Sequence, residues 1–211
     1  MKGMHDWVKN LIIKILMKIN IIILKLIAVF SSKNIIEIKE ESIKNIIVFA
    51  PHADDESIGC AGIIKKHSLE GSNIIIVNMT DGKSSKSNLD KEKLAELRKK
   101  ELLNVANKLC VKQVISLDFQ DGNLQCGEDE ILTVRNLISE YKPDIIYTPF
   151  FCDTHKDHVT TNLILINALK ETGYECQIRA FEVQTPMTSM IFNSFYEISF
   201  FTETKKQLLL S

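Results

Sequence analysis

From about residue 44 onward the chain alternates short, almost wholly apolar runs with longer helix-like stretches, and few folds accept that rhythm. The runs read NIIVFA at 45–50, NIIIVN at 73–78, QVISL at 113–117 and DIIYT at 144–148, with IRAFEV at 178–183 as a fifth. Residues 57–70, 90–109, 128–140 and 157–170 carry helical patterns between them. A strand that is apolar on both faces needs cover on both faces, which parallel sheets receive from their crossover helices. The pattern therefore predicts an α/β fold: a three-layer, doubly wound, mostly parallel sheet of the Rossmann-like kind. Ligands of such sheets bind beyond the carboxyl ends of the strands. The polar loop DGKSSKSN at 81–88, straight after the second run, lies at that edge.

A different pattern precedes this region. Residues 11–30 read LIIKILMKINIIILKLIAVF, broken only by Lys14, Lys18, Asn20 and Lys25. On a helix the three lysines fall within about 40° of one another, a basic stripe on an otherwise apolar surface. A central lysine costs about 3 kcal/mol in a bilayer and each Ile or Leu returns about 0.5, so spanning comes out near zero. Lying in the membrane interface avoids most of that cost. The expectation is an amphipathic helix with a linker over residues 1–40, attached to a membrane surface, and a catalytic-type domain over 41–211. Docking on protein is the plainer alternative for that helix. Five cysteines without a CxxC pair suit a reducing compartment, hence a cytoplasmic chain at the inner face of the membrane. A net charge of −1 carries no electrostatic footprint for nucleic acid.

Two segments carry chemistry, each directly after an apolar run. The first is Pro51-His52-Ala53-Asp54-Asp55-Glu56-Ser57, one imidazole and three carboxylates at a strand-to-helix turn. Imidazole nitrogen and carboxylate oxygen are good zinc donors. Side chains of consecutive residues diverge, so one carboxylate can ligate while its neighbour stays free to take a proton. An acidic first helical turn is the plainer account of this segment. The same turn argues against a dinucleotide, because a pyrophosphate needs a glycine-rich loop there. The second segment follows Thr148-Pro149 and contains Asp153-Thr154-His155-Lys156-Asp157-His158, with two of the chain's five histidines three residues apart at a helix start. At that spacing both can face one side of the first turn. The two segments share one sheet edge, and three ligands with an open position is the arrangement of a catalytic zinc.

The pairing of PHADDES with DTHKDH resembles the LmbE-like, or PIG-L-type, de-N-acetylase family, over roughly residues 45–211. Thr80-Asp81-Gly82, the helix stretch Arg98-Lys99-Lys100-Glu101, Asp121-Gly122, Ala180-Phe181-Glu182-Val183 and Lys205-Lys206-Gln207-Leu208 match it as well. The resemblance implies that His52, Asp55 and His158 hold Zn2+, or another divalent metal such as Fe2+. It further implies Asp54 as general base, a protonated His155 on the oxyanion, Asp157 orienting His155, and Arg98 and Asp121 facing substrate. The implied substrate is an N-acetylated amino-sugar conjugate of the N-acetylglucosamine type, and the tethering helix favours one on a lipid or other membrane-linked aglycone. Two departures stand out. Ala53 replaces the usual proline, and the closing helix still runs at Leu210-Ser211, as in a C-terminal truncation or a short member. Rival readings are a zinc hydrolase of a non-sugar amide and a catalytically silent membrane-attached binding module. Retention of Asp54 and His155 speaks against the silent one, since a structural metal needs neither.

Overall fold

The structure, a computed structural model, describes residues 36–38, 43–84, 87–185 and 194–210. The helix expected over 11–30 and most of its linker lie outside the described residues. Among the described residues no helix is long and apolar enough to cross a membrane. The chain divides into two compact units, one of residues 1–39 with 186–197 and the other of residues 40–185 with 198–211. In the first, β1 (Ile36–Glu37) pairs in parallel with β7 (Ser194–Phe195).

The second unit carries the expected architecture. Its elements run β2 (Asn45–Ala50), α1 (Asp55–Gly59), α2 (Ala61–Leu69), β3 (Asn73–Thr80), α3 (Lys91–Leu109), β4 (Gln113–Phe119), α4 (Glu128–Tyr141), β5 (Ile145–Pro149), α5 (Lys156–Thr172) and β6 (Gln177–Phe181). A 3₁₀ turn at Ser199–Phe201 leads into α6 (Thr202–Leu209). The five strands stand in the order β4-β3-β2-β5-β6, and every pairing is parallel.

Side-chain alternation explains the three layers. Ile47, Phe49, Val77 and Ile146 form one core cluster with Val134 and Ile138 of α4 and Ile164 and Leu165 of α5. The residues between them in sequence, Ile46, Val48, Ile74, Ile76 and Ile145, are at most 1% exposed and point to the opposite face. Each such side chain contributes about 1.5–3 kcal/mol by leaving water. The edge strands β4 and β6 mix exposed and partly covered positions, while β2, β3 and β5 are buried almost throughout.

One element differs from expectation. The helix foreseen over 57–70 begins earlier and breaks at Cys60 (φ −122°, ψ −7°) into α1 and α2. The break lies between two glycines held in close contact: a Cβ on Gly59 would meet the Phe181 ring, and one on Gly62 would meet Ile198. Tertiary packing sets that bend, and helical periodicity carries no trace of it. β2 and β5 are neighbours although the chain passes through β3 and β4 between them, so the strand order reverses there. Both chemical segments leave the sheet at this switch point, where open α/β sheets bind their ligands.

Candidate functional site

After β2 the chain turns sharply. The N–H groups of Asp54 and Asp55 both donate to the carbonyl of His52, at 2.9 and 3.3 Å, and the His52 N–H donates to Oδ2 of Asp55 at 2.9 Å. The turn thus closes with Ala53 in the place where proline was expected. Asp55 is 2% exposed and faces inward, whereas Asp54 opens onto the cleft. Glu56 turns into the interior and accepts from the Ser57 hydroxyl at 2.6 Å. Burial pushes the Glu56 carboxyl up to about 7.

The second segment enters from β5 and starts α5. His155 caps that helix, its Nδ1 accepting from the Asp157 N–H at 3.2 Å. One turn on, His158 is fully buried and aims Nε2 back at the first segment. Oδ2 of Asp55 lies 3.2 Å from Nδ1 of His52 and 3.2 Å from Nε2 of His158, and the two nitrogens are 3.4 Å apart. Zinc bonds of 2.0–2.1 Å at tetrahedral angles put ligand atoms about 3.3 Å from one another. The triangle of one oxygen and two nitrogens has the edge lengths and the donor chemistry of such a site. Two overlapping groups, His52–His155–His158 and His52–Asp121–Asp157, also bring donors within 4.8 Å of one another. In the latter, Nε2 of His52 faces the carboxylates, at 3.2 Å for Asp157 and 3.4 Å for Asp121. One imidazole offers a lone pair to one cation, so that nitrogen serves better as the N–H that fixes the ring.

The charges of these groups shift one another strongly. Burial opposes a charged His52, yet hydrogen bonds to Asp121 and Asp55 outweigh it and raise its pKa to about 10. His158 is raised in the same way, burial being overcome by Asp55 and Asp153. Burial would also neutralise Asp55, but its bonds to His158 and His52 depress it strongly. Asp54 moves upward, through burial and the neighbouring charge of Asp55. His155 moves downward, through burial and then repulsion from His52 and His158.

The structure brings every residue singled out above to one place, with two differences of detail. Asp157 was expected to orient His155; its backbone does so, while its fully buried carboxylate accepts from the N–H groups of Gly122 (2.8 Å) and Leu124 (3.2 Å) and meets His52. His155 was expected to be protonated; burial and the charges of His52 and His158 shift its pKa downward, and its Nδ1 accepts from the Asp157 N–H, which leaves Nε2 as the nitrogen facing the cleft. His52 and His155 stand edge to face, ring centroids 4.5 Å apart.

Around these groups lies a cleft of about 420 Å³, bounded on the far side by Arg98, Ser84, Asp121, Val183 and Gln184. Arg98 projects from α3 across Gly82, whose φ of +70° and 3.1 Å clearance to the Arg98 chain disfavour a side chain there. Asp121 is held by the Ser84 N–H at 2.8 Å and the Ser84 hydroxyl on its carbonyl at 2.5 Å. Asp153 had been assigned no role, yet its carboxylate lies 3.1 Å from Nδ1 of His158. Its place just ahead of a histidine-bearing helix start was the one signal that could have found it.

Comparison with known proteins accords with this arrangement. The family model PIG-L, described as GlcNAc-PI de-N-acetylase, matches residues 47–169. The probable N-acetyl-alpha-D-glucosaminyl L-malate deacetylase 2 of Bacillus subtilis (strain 168) is 30% identical over 135 residues, 60% of this chain and 61% of the relative. The diacetylchitobiose deacetylase of Thermococcus kodakarensis is 28% identical over 136 residues, 62% of this chain and 51% of the relative. The chain thus spans between half and two thirds of the length of these curated relatives. Among solved structures, N,N'-diacetylchitobiose deacetylase from Pyrococcus horikoshii superposes with a TM-score of 0.69 at 25% identity, covering 80% of this chain and 69% of that one.

Proposed function

Since this chain belongs to the PIG-L family of de-N-acetylases, we propose that it is a metal-dependent hydrolase that removes the acetyl group from an N-acetylglucosamine-type conjugate. The observation that carries the reading is the 3.2–3.4 Å triangle of His52, Asp55 and His158 beside the open carboxylate of Asp54. Those three residues are the proposed ligands of a divalent cation, and their mixed nitrogen and oxygen donors suit Zn2+, with Fe2+ as the alternative. Bound there, the cation supplies a Lewis acid for the amide carbonyl and a water that ionises near neutral pH.

The remaining steps belong to side chains. Asp54, on the cleft side of the turn, takes the proton of the attacking water, and its raised pKa brings it closer to the working pH, as a general base requires. His155 presents Nε2–H to the oxygen that gains charge, a donor of the oxyanion-hole kind worth about 3 kcal/mol. With Nδ1 of His155 taken up by the Asp157 N–H, Asp54 is the group that returns its proton to the departing sugar nitrogen. Arg98 and Asp121 offer a donor and an acceptor to sugar hydroxyls from the opposite wall. The relatives' named substrates, a glucosaminyl malate and diacetylchitobiose, support an amino-sugar conjugate. The basic-striped apolar stretch at 11–30 supports a lipid-linked one at a cytoplasmic membrane face.

Release of free amine, measured across soluble and lipid-linked N-acetylglucosamine conjugates, with and without a chelator, tests the proposal. We expect chelator-sensitive release, greatest from the lipid-linked member presented in vesicles. No release from any member with Zn2+ or Fe2+ supplied would sink it, and release from simple non-sugar acetamides alone would transfer the activity to the rival hydrolase reading.

A further inference from the structure

Each histidine of the triangle turns its second nitrogen outward, and each of those nitrogens meets a buried carboxylate. For His52 the partners are Asp157 and Asp121. For His158 it is Asp153, whose Oδ2 lies 3.1 Å from Nδ1 with both side chains at 0% exposure. The two meet as an ion pair at hydrogen-bond distance, without the alignment of a hydrogen bond. Asp153 also gathers the surrounding backbone. Its carboxylate accepts from the N–H of His155 at 3.1 Å, the N–H of Gln184 at 3.3 Å and the Thr185 hydroxyl at 3.4 Å.

We propose that Asp153 is a positioning residue of the metal centre: it holds the proton of His158 on Nδ1, leaves the Nε2 lone pair facing the cation, and ties that ligand to the cleft wall at Val183–Thr185. The proposal rests on His158 being a ligand. An imidazole that meets a cation through one nitrogen carries its proton on the other, and a carboxylate facing that proton sets the ring's angle and raises its donor strength. A staple for residues 184 and 185 alone would need amide and hydroxyl donors but no imidazole. It would not place a carboxylate in a fully enclosed pocket against Nδ1, where an unpaired charge is costly. One carboxylate paired with His158 and hydrogen-bonded to the Gln184 backbone also links ligand geometry with the shape of the substrate wall.

Asp153→Asn retains the size of the side chain and an acceptor for the amides while removing the charge. Co2+ is the probe, because its visible absorption reports coordination geometry. We expect Asp153→Asn in the full chain to bind one Co2+ some 10- to 100-fold more weakly than wild type, the usual cost of losing a ligand's outer partner. The absorption band should shift, while the circular dichroism stays that of the wild type. His158→Ala is the companion. Loss of Co2+ there, with Asp153→Asn binding within twofold of wild type and with an unchanged spectrum, would overturn the role of Asp153 and leave the ligand reading intact. Wild-type Co2+ binding by His158→Ala would instead overturn the ligand reading itself. Should Asp153→Asn not fold, nitrogen-15 spectra of histidine in the Zn2+-loaded wild type decide the matter. Nδ1 of His158 protonated and Nε2 bare supports the proposal, and the reverse pattern refutes it.

Discussion

Binding of a cation at the triangle must expel protons, and the pH dependence of that exchange follows from the structure. Nδ1 of His52 stands 3.2 Å from Oδ2 of Asp55, and against burial its hydrogen bonds to Asp121 and Asp55 raise its pKa to about 10. At pH 7 the ring is protonated by a margin of about three units, and each unit is worth about 1.4 kcal/mol. Displacing that proton takes about 4 kcal/mol from the binding free energy at pH 7, a loss that shrinks as the pH rises. Asp55 is already ionised and adds no proton, while His158, raised as well, adds part of a second. Zn2+ affinity should therefore climb about tenfold or more per unit between pH 6 and 9. Calorimetry at pH 7 in buffers of different ionisation enthalpy should show at least one proton released per Zn2+. The sign for stability is fixed by the same shift. A histidine raised above its unfolded value of about 6.5 stabilises the fold fully below that pH, and the contribution is lost as pH rises through about 10. The cation-free protein should then lose melting temperature between pH 8 and 10, and the Zn2+-loaded protein should lose less. Affinity flat with pH, with no proton released, would refute the charge state of His52 on which the reasoning stands.

Two substitutions probe other parts of the design. Asp54→Asn should retain one metal per chain while turnover falls by about 10²–10⁴, whereas Asp55→Asn should weaken the metal itself; equal loss of metal in both would show that the adjacent aspartates do not divide the work. Gly59→Ala would press a Cβ into the Phe181 ring and place it 2.9 Å from the carbonyl oxygen of Glu182, and the carbonyl cannot swing aside as a ring can. Overpacking of this kind should cost about 1–3 kcal/mol, read as a lower denaturant midpoint at constant slope, and a midpoint unchanged from wild type would contradict the packing at Gly59.

How much of this was legible beforehand depends on how local each cause is. The strands could be placed within a residue or two, because a run such as Asn45–Ala50 is apolar on both faces and fits only a covered parallel sheet. Residues that follow such a run emerge at the carboxyl edge, which put His52, Asp55 and His158 at one rim from residue order alone. The bend at Cys60 was not legible, because its cause is Phe181 and Ile198, more than a hundred residues away.

The sequence by itself determined the sheet type, the edge that carries the chemistry and the kinds of group available there, all of which follow from residue type and short-range period. Only the tertiary structure decided which atoms meet. Strand order placed His52 beside His158 across 106 residues. The start of α5 then turned the Asp157 carboxylate to His52 and left only its backbone N–H for His155. The loop before α5 set Asp153 behind His158. Those choices depend on where helix starts and crossovers bring side chains from distant positions, a property of the packed sheet that no local pattern encodes.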